Sequence, residues 1–319
     1  MSANELHKSQ IYSTYFAPRG RSRIYNLGIQ IAQQYLSPFD RIIGFIGEAG
    51  SGKSMLIKGM FPGLELTNDD DGVNVRPLPI LDQESESGFF TPHTYHMDVR
   101  FEMGFHQMTV LADAIMQAIS RGKRVIIEHF DLIYETLGVN ADLLIGVGEE
   151  IVITRPTLFG PEPKEVYDIV YHSLPYRLMA HTAEDLCEFL MPPQWMEKCQ
   201  HGDVHHGFIL SFRGEKPDID IRELEKKAND AIAQDLPVEY VDESHIRIGG
   251  NLHSCTGPRT HVRSTGEIKN FCLLYDFVYD KMHDQYLLVG CVGEGAIERL
   301  KHFEQIATKK TAADMDFIM

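Results

Sequence analysis

The sequence predicts an α/β domain, a parallel sheet with helices on both faces, followed by an α+β domain. Three observations predict it. The apolar run Arg41-Ile42-Ile43-Gly44-Phe45-Ile46 ends in a glycine-rich turn and then good helix formers from Met55 to Met60, the order strand, loop, helix. Strand-like and helix-like segments then alternate as far as Val147. The run Arg155-Pro156-Thr157-Leu158-Phe159-Gly160-Pro161-Glu162-Pro163 stops that alternation and marks the expected hinge.

The elements follow in order. Residues Ser22 to Leu36 place Ile24, Leu27, Ile31 and Tyr35 on one helical face. After the glycine-rich turn come Thr94 to Phe101, a helix from His106 to Ser120, a buried strand Arg124-Val125-Ile126-Ile127-Glu128 and another from Ala141 to Val147. Beyond the hinge a helical stretch from Lys164 to Leu190 precedes a β-rich region with a further helix from Asp220 to Gln234. The expected domains are residues 1–172 and 173–319, with no internal repeat, low-complexity tract or heptad array.

With 319 residues, 43% hydrophobic and 24% charged, the chain can bury a core without staples, and its length favours two domains. A net charge of −16 repels polyanions, so tRNA is a partner only through a local basic patch, and no basic-aromatic stripe is visible. The five cysteines are too scattered for a disulfide framework, which predicts reduced thiols in a cytoplasm. Met1 to Gln10 has no apolar signal core, and no stretch approaches the length of a membrane span.

Gly47-Glu48-Ala49-Gly50-Ser51-Gly52-Lys53-Ser54 has the P-loop pattern GxxxxGK[ST]. Its glycines let backbone N–H groups turn inward around phosphates at a helix N-terminus, whose dipole favours anions. Gly47, Gly50, Ser51, Gly52, Lys53 and Ser54 are thus the expected nucleotide-binding residues, Lys53 reaching the β and γ phosphates and Ser54 ligating Mg²⁺ of bound ATP. A carboxylate ending a neighbouring strand completes such a site, and Glu128 has that place, with Asp131 a second candidate. Lys53, Glu128 and Asp131 are the catalytic candidates. Asn68-Asp69-Asp70-Asp71 and Asp82 fit an exposed acidic turn better than a base for an acceptor hydroxyl, and Arg155 is either a lid arginine or a solvated one. By its P-loop and apolar strand ending in an acid, the first half resembles the phosphoribulokinase and uridine kinase group of P-loop kinases.

In the second half, His253, Cys255 and His261 stand within nine residues. Earlier, His181 and Asp185 are four apart on an expected helix and share one face. Imidazole, thiolate and carboxylate together suit Zn²⁺. The segment Cys255-x-Gly257-Pro258, then His261-Val262, then Ser264-Thr265-Gly266-Glu267-Ile268 resembles the second additional domain of threonyl- and alanyl-tRNA synthetases, which hydrolyses mischarged tRNA. That family carries HxxxH on a helix and CRGPHV or CGGTHV followed by NTGEI on a later strand-turn. Gly207-Phe208-Ile209-Leu210-Ser211-Phe212 is similar to its GFYYDF strand, and the likeness spans about residues 176 to 295. Two departures stand out: Asp185 replaces the second helix histidine, and Arg259-Thr260 is inserted between Cys255 and His261. His253 also stands two residues before the cysteine, where the threonyl form has an aspartate. The resemblance implies a metal site of His181, Asp185, His253, Cys255 and His261. His205 and His206 face either that pocket or solvent, and Trp195 is expected in the core or at a domain contact.

Three functions follow from these readings. One is a kinase-like phosphotransferase whose second domain binds an amino acid or nucleoside. A free-standing aminoacyl-tRNA deacylase regulated by ATP is the alternative, and a non-enzymatic nucleotide-gated binding protein is the third.

Overall fold

The structure, a computed structural model, describes residues 12–67, 78–82 and 93–316. Asn68 to Asp71 lie outside them, and Asp82 ends a short 3-10 turn, Pro79–Asp82. The chain divides into two compact units, Met1–Leu174 and Pro175–Met319. The division falls inside a helix, past the Arg155 to Pro163 run, which forms a turn with Leu158 and Phe159 at its exposed tip.

The first unit contains β1 (Tyr12–Phe16), α1 (Arg21–Tyr35), β2 (Ile42–Ile46), α2 (Lys53–Met60), β3 (Thr94–Asp98), α3 (Val99–Glu102), α4 (Met108–Ser120), β4 (Arg124–Glu128), α5 (Phe130–Leu137), β5 (Leu143–Val147), β6 (Glu150–Thr154) and the start of α6 (Pro163–Leu190). Its sheet has the order β1-β6-β5-β2-β4-β3. Strands β5, β2, β4 and β3 are parallel neighbours, as expected, but β6 pairs antiparallel with both β5 and β1, so the sheet is mixed rather than purely parallel. The cause is local: β6 follows β5 after only Gly148 and Glu149, too short a link for the crossover a parallel neighbour needs.

Both faces of the central strands are buried, which is why they read as unbroken apolar runs. Ile42 and Ile46 of β2 and Val125 and Ile127 of β4 join α4 and α5 in one cluster. Ile43, Phe45 and Ile126 point the other way, to α1 and α2. Helices α1 and α2 cross closely at Gly28 and Gly59, where a Cβ on either would collide with the other helix's backbone. That contact fixes α2, and with it the loop that begins it.

The second unit contains the rest of α6, then α7 (Pro193–Met196), β7 (Cys199–Val204), β8 (Gly207–Arg213), α8 (Ile221–Ala233), β9 (Val238–Asp242), β10 (His245–Ile248), β11 (Asn251–Ser254), β12 (Cys272–Leu273), β13 (Val278–Asp280), β14 (Gln285–Cys291) and α9 (Ala296–Asp316). A five-stranded antiparallel sheet runs β12-β14-β8-β7 with β13 on β14, and a three-stranded one runs β11-β10-β9. Phe208, Leu210 and Phe212 of β8 share a core with Ala180, Ala183 and Cys187 of α6 and Leu224 and Ala228 of α8. Trp195 belongs to that core, edge-on to Phe212 at 5.9 Å between ring centres. Among the described residues no helix is long and apolar enough to cross a membrane.

Candidate functional site

The loop Gly47 to Gly52 joins β2 to α2. Gly50 and Gly52 have φ of 79° and 94°, a left-handed backbone that glycine adopts without strain. Lys53, at the first turn of α2, is 5% exposed and folds back so that Nζ donates to the carbonyls of Gly47 at 2.8 Å and Glu48 at 2.9 Å. Burial pulls its pKa below the ordinary lysine range.

Opposite stands Glu128, the last residue of β4, with Oε2 3.9 Å from Lys53 Nζ and Oε1 accepting from Ser54 Oγ at 3.5 Å. Thr67 N–H donates to His96 Nδ1 at 3.1 Å, so the proton of that ring sits on Nε2 and is donated to Glu128 Oε1 at 3.0 Å. Burial pushes the Glu128 carboxyl up, but His96 and Lys53 outweigh it and hold it below the usual range. Asp131, in the first turn of α5, has a buried Oδ1 without a hydrogen-bond partner, and burial raises its pKa.

Sequence reasoning missed four residues beside this loop. Asp98 ends β3 in register with Glu128, accepts from Phe101 N–H at 3.0 Å, and has its pKa raised by burial and by Glu128. Its signal was the parallel between Thr94-Tyr95-His96-Met97-Asp98 and Arg124 to Glu128, two strands each ending in an acid. Arg100 forms an ion pair with Glu48 of the loop and holds that carboxyl down at about 2. His129, at φ 56°, has an unusual left-handed backbone between Glu128 and Asp131, and burial pulls its pKa down to about 4. His96 is the fourth. Arg155 is neither a lid nor solvated: it is buried, with Nη1 2.6 Å and Nη2 2.9 Å from the two oxygens of Asp40.

In the second unit His181, Asp185, Cys255 and His261 place one ligand atom each within 4.8 Å of one another. His181 and Asp185 share a face of α6, and Cys255 and His261 come from the loop after β11. Cys255 Sγ is 3.6 Å from His181 Nε2 and 3.8 Å from His261 Nε2. Asp185 Oδ1 is 3.8 Å from His181 Nε2, and Oδ2 is 2.9 Å from His261 Nε2. Four donors about 2.0 to 2.3 Å from a tetrahedral Zn²⁺ stand about 3.3 to 3.8 Å apart, so this set needs little adjustment to hold one. The rings are oriented for it. His181 Nδ1 faces Thr260 O at 2.9 Å and His261 Nδ1 faces Pro258 O at 3.2 Å, which turns Nε2 of both rings toward the cluster. Asp185 Oδ1 is buried without a hydrogen bond. Burial, with the Asp185 carboxylate, pushes the Cys255 thiol far above its ordinary range, a state that a coordinated ion would reverse.

His253 stands outside this foursome, but with Asp185 and Glu188 it forms a further group whose ligand atoms lie within 4.8 Å of one another. It is buried on β11 with Nε2 3.6 Å from Glu188 Oε2, so the Asp-to-His exchange at this position joins it to a neighbouring carboxylate. His205 and His206 form the turn between β7 and β8, where His206 stacks on Tyr176.

No protein-family model matches the chain, and no curated protein matches its sequence.

Proposed function

We propose that the first unit binds a nucleoside triphosphate with Mg²⁺ and transfers a phosphoryl group to a small hydroxylated acceptor, and that the second is a metal-binding domain of the synthetase-editing kind. One observation carries the first half of this reading. Lys53, Ser54, Glu128 and Asp98 gather at the carboxyl ends of adjacent parallel strands, around a loop opened by left-handed glycines at a helix N-terminus.

Lys53 Nζ, now held by loop carbonyls, reaches the phosphates with a small movement of its flexible stem. Ser54 Oγ and the ionised Glu128 are the residues that would hold Mg²⁺, which supplies positive charge against the transferred group. Asp98 is the base for the acceptor hydroxyl: its raised pKa brings a carboxylate nearer the range in which it takes a proton in the transition state. Arg100 is a second cation beside the loop.

In the second unit the fit of four donors to a tetrahedral ion supports the metal-binding half. Four protein donors complete the shell, as in structural sites, whereas hydrolytic sites keep a position for water. The five thiols suit a reducing cytoplasm.

The test uses the full chain with MgATP and a panel of nucleosides and amino acids. Acceptor-dependent ADP release is expected, abolished by Lys53→Ala together with the upward shift in melting temperature that ATP produces. No turnover with any acceptor, and an unchanged ATP shift in Lys53→Ala, would sink the reading.

The convergence of His181, Asp185, Cys255 and His261 favours a second reading, an aminoacyl-tRNA deacylase regulated by ATP. The complete shell and the net charge of −16 count against it. Release of amino acid from a panel of mischarged tRNAs, lost in Cys255→Ser, would place it first.

A further inference from the structure

Helix α6 carries a second arrangement of the same design, three residues along. His181 and Asp185, four apart, meet Cys255 and His261. Glu184 and Glu188, also four apart, meet Cys199 and His201, which are two apart on β7 and so point to one face of that strand. Glu188, Cys199 and His201 place one ligand atom each within 4.8 Å of one another. Glu188 Oε2 is 3.2 Å from His201 Nε2, and Cys199 Sγ is 4.0 Å from the same nitrogen. On the other side of the ring, His201 Nδ1 is 3.7 Å from Oε2 of the fully buried Glu184.

We propose that Glu188, Cys199 and His201 form a second divalent-metal site, of the Zn²⁺ class, beside the His181, Asp185, Cys255 and His261 centre. Carboxylate oxygen, imidazole nitrogen and thiolate sulfur are the donor types of zinc. Glu184, 3.7 Å behind Nδ1, stands on the side from which a second carboxylate orients a ligating imidazole. His253 borders the site: its side chain is 5% exposed, its Nε2 makes no hydrogen bond, and it faces Glu188 Oε2 with Asp185 also within 4.8 Å. Glu188 and His201 are 13% and 21% exposed, so an ion has a way in from solvent. Three protein donors leave a coordination position open, which the four-donor centre does not have. The competing occupant is a proton on His201, paired with Glu184 and Glu188.

The two centres have separate ligands, so metal counting separates this proposal from the metal reading of the first centre. The full chain is loaded with Zn²⁺, freed of excess by dialysis, and its zinc measured per chain. Wild type is expected to hold two equivalents, Cys199→Ser and Cys255→Ser one each, and the double variant none. A cobalt titration of wild type guards against a misfolded variant: the thiolate-to-cobalt absorption should rise through two equivalents, since each centre contributes one cysteine. One equivalent in wild type, lost in Cys255→Ser but kept in Cys199→Ser, overturns the second site and leaves the first. No zinc in wild type overturns both. Saturation of the cobalt absorption at one equivalent also overturns the second site.

Discussion

Asp185 Oδ2 lies 2.9 Å from His261 Nε2, joining α6 to a loop 76 residues later through two buried side chains. In the sequence Asp185 is a departure from HxxxH, yet the structure brings it within 4.8 Å of ligand atoms of His181, Cys255 and His261. Burial raises the cost of its charge, but His181 and His261 outweigh that and hold its carboxyl far below the usual range.

Asp185→Asn keeps the shape and removes the charge. Metal affinity should fall by more than about tenfold, since loss of even an outer partner of a ligand costs about 10- to 100-fold. A chelator should lower the melting temperature of wild type, and Asp185→Asn in the presence of zinc should melt nearer the chelated protein. A melting curve indifferent to both chelator and substitution would remove the metal from this centre.

Asp98 and Asp131 are the two carboxyls whose pKa values burial raises near Lys53, and only Asp98 ends a strand beside Glu128. Asp98→Asn retains an oxygen for Phe101 N–H but takes no proton. Phosphoryl transfer should fall about 10²- to 10⁴-fold with ATP affinity nearly unchanged, while Asp131→Asn should act mainly on stability. Steady-state kinetics and nucleotide titration of the two variants decide between them; the reverse ranking would move the base to Asp131.

How legible this was depended on whether the signal was local. Strands β2 and β4 were readable because both faces are buried, giving continuous apolar runs. Strand β6, Glu150–Thr154, went unread between two better signals, and strand order is a long-range property that no window of sequence contains. The glycine-rich loop and the Cys255 to His261 segment were visible as spacing patterns. Asp98 and Arg100 were not, because their partners Glu128 and Glu48 lie on other segments. Glu188, Cys199 and His201 escaped for the same reason: a carboxylate on a helix end and a Cys-x-His on a strand mean little until the two elements pack.

Arg155 and Asp40 are 10% and 4% exposed as side chains and meet through two charge-assisted hydrogen bonds, and Asp40 also accepts from Ser37 N–H at 2.7 Å. Asp40→Ala leaves a buried guanidinium without its counter-ion and should cost about 3 to 5 kcal/mol in chemical denaturation. ATP affinity of the protein that remains folded should be unchanged, because the pair works at the amino ends of the strands. A weakened ATP affinity with unaltered stability would restore the lid role to Arg155.

His129 supplies a pH test. Burial, then Lys53 and Arg100, pull its pKa from 6.5 to about 4, so the folded chain holds this ring neutral where the unfolded chain protonates it. A depressed folded pKa means stability is fully present above pH ~6.5 and is lost as pH falls toward 4. For this group alone the loss between pH 7.5 and 5.0 should be about 2 kcal/mol. His129→Asn removes the titrating ring and keeps a residue that tolerates the left-handed backbone at φ 56°. Urea denaturation of both proteins at the two pH values should show wild type losing about 2 kcal/mol more than the variant. Equal losses would mean that the ring is protonated in the folded chain, and that its neighbours Lys53 and Arg100 do not set its charge.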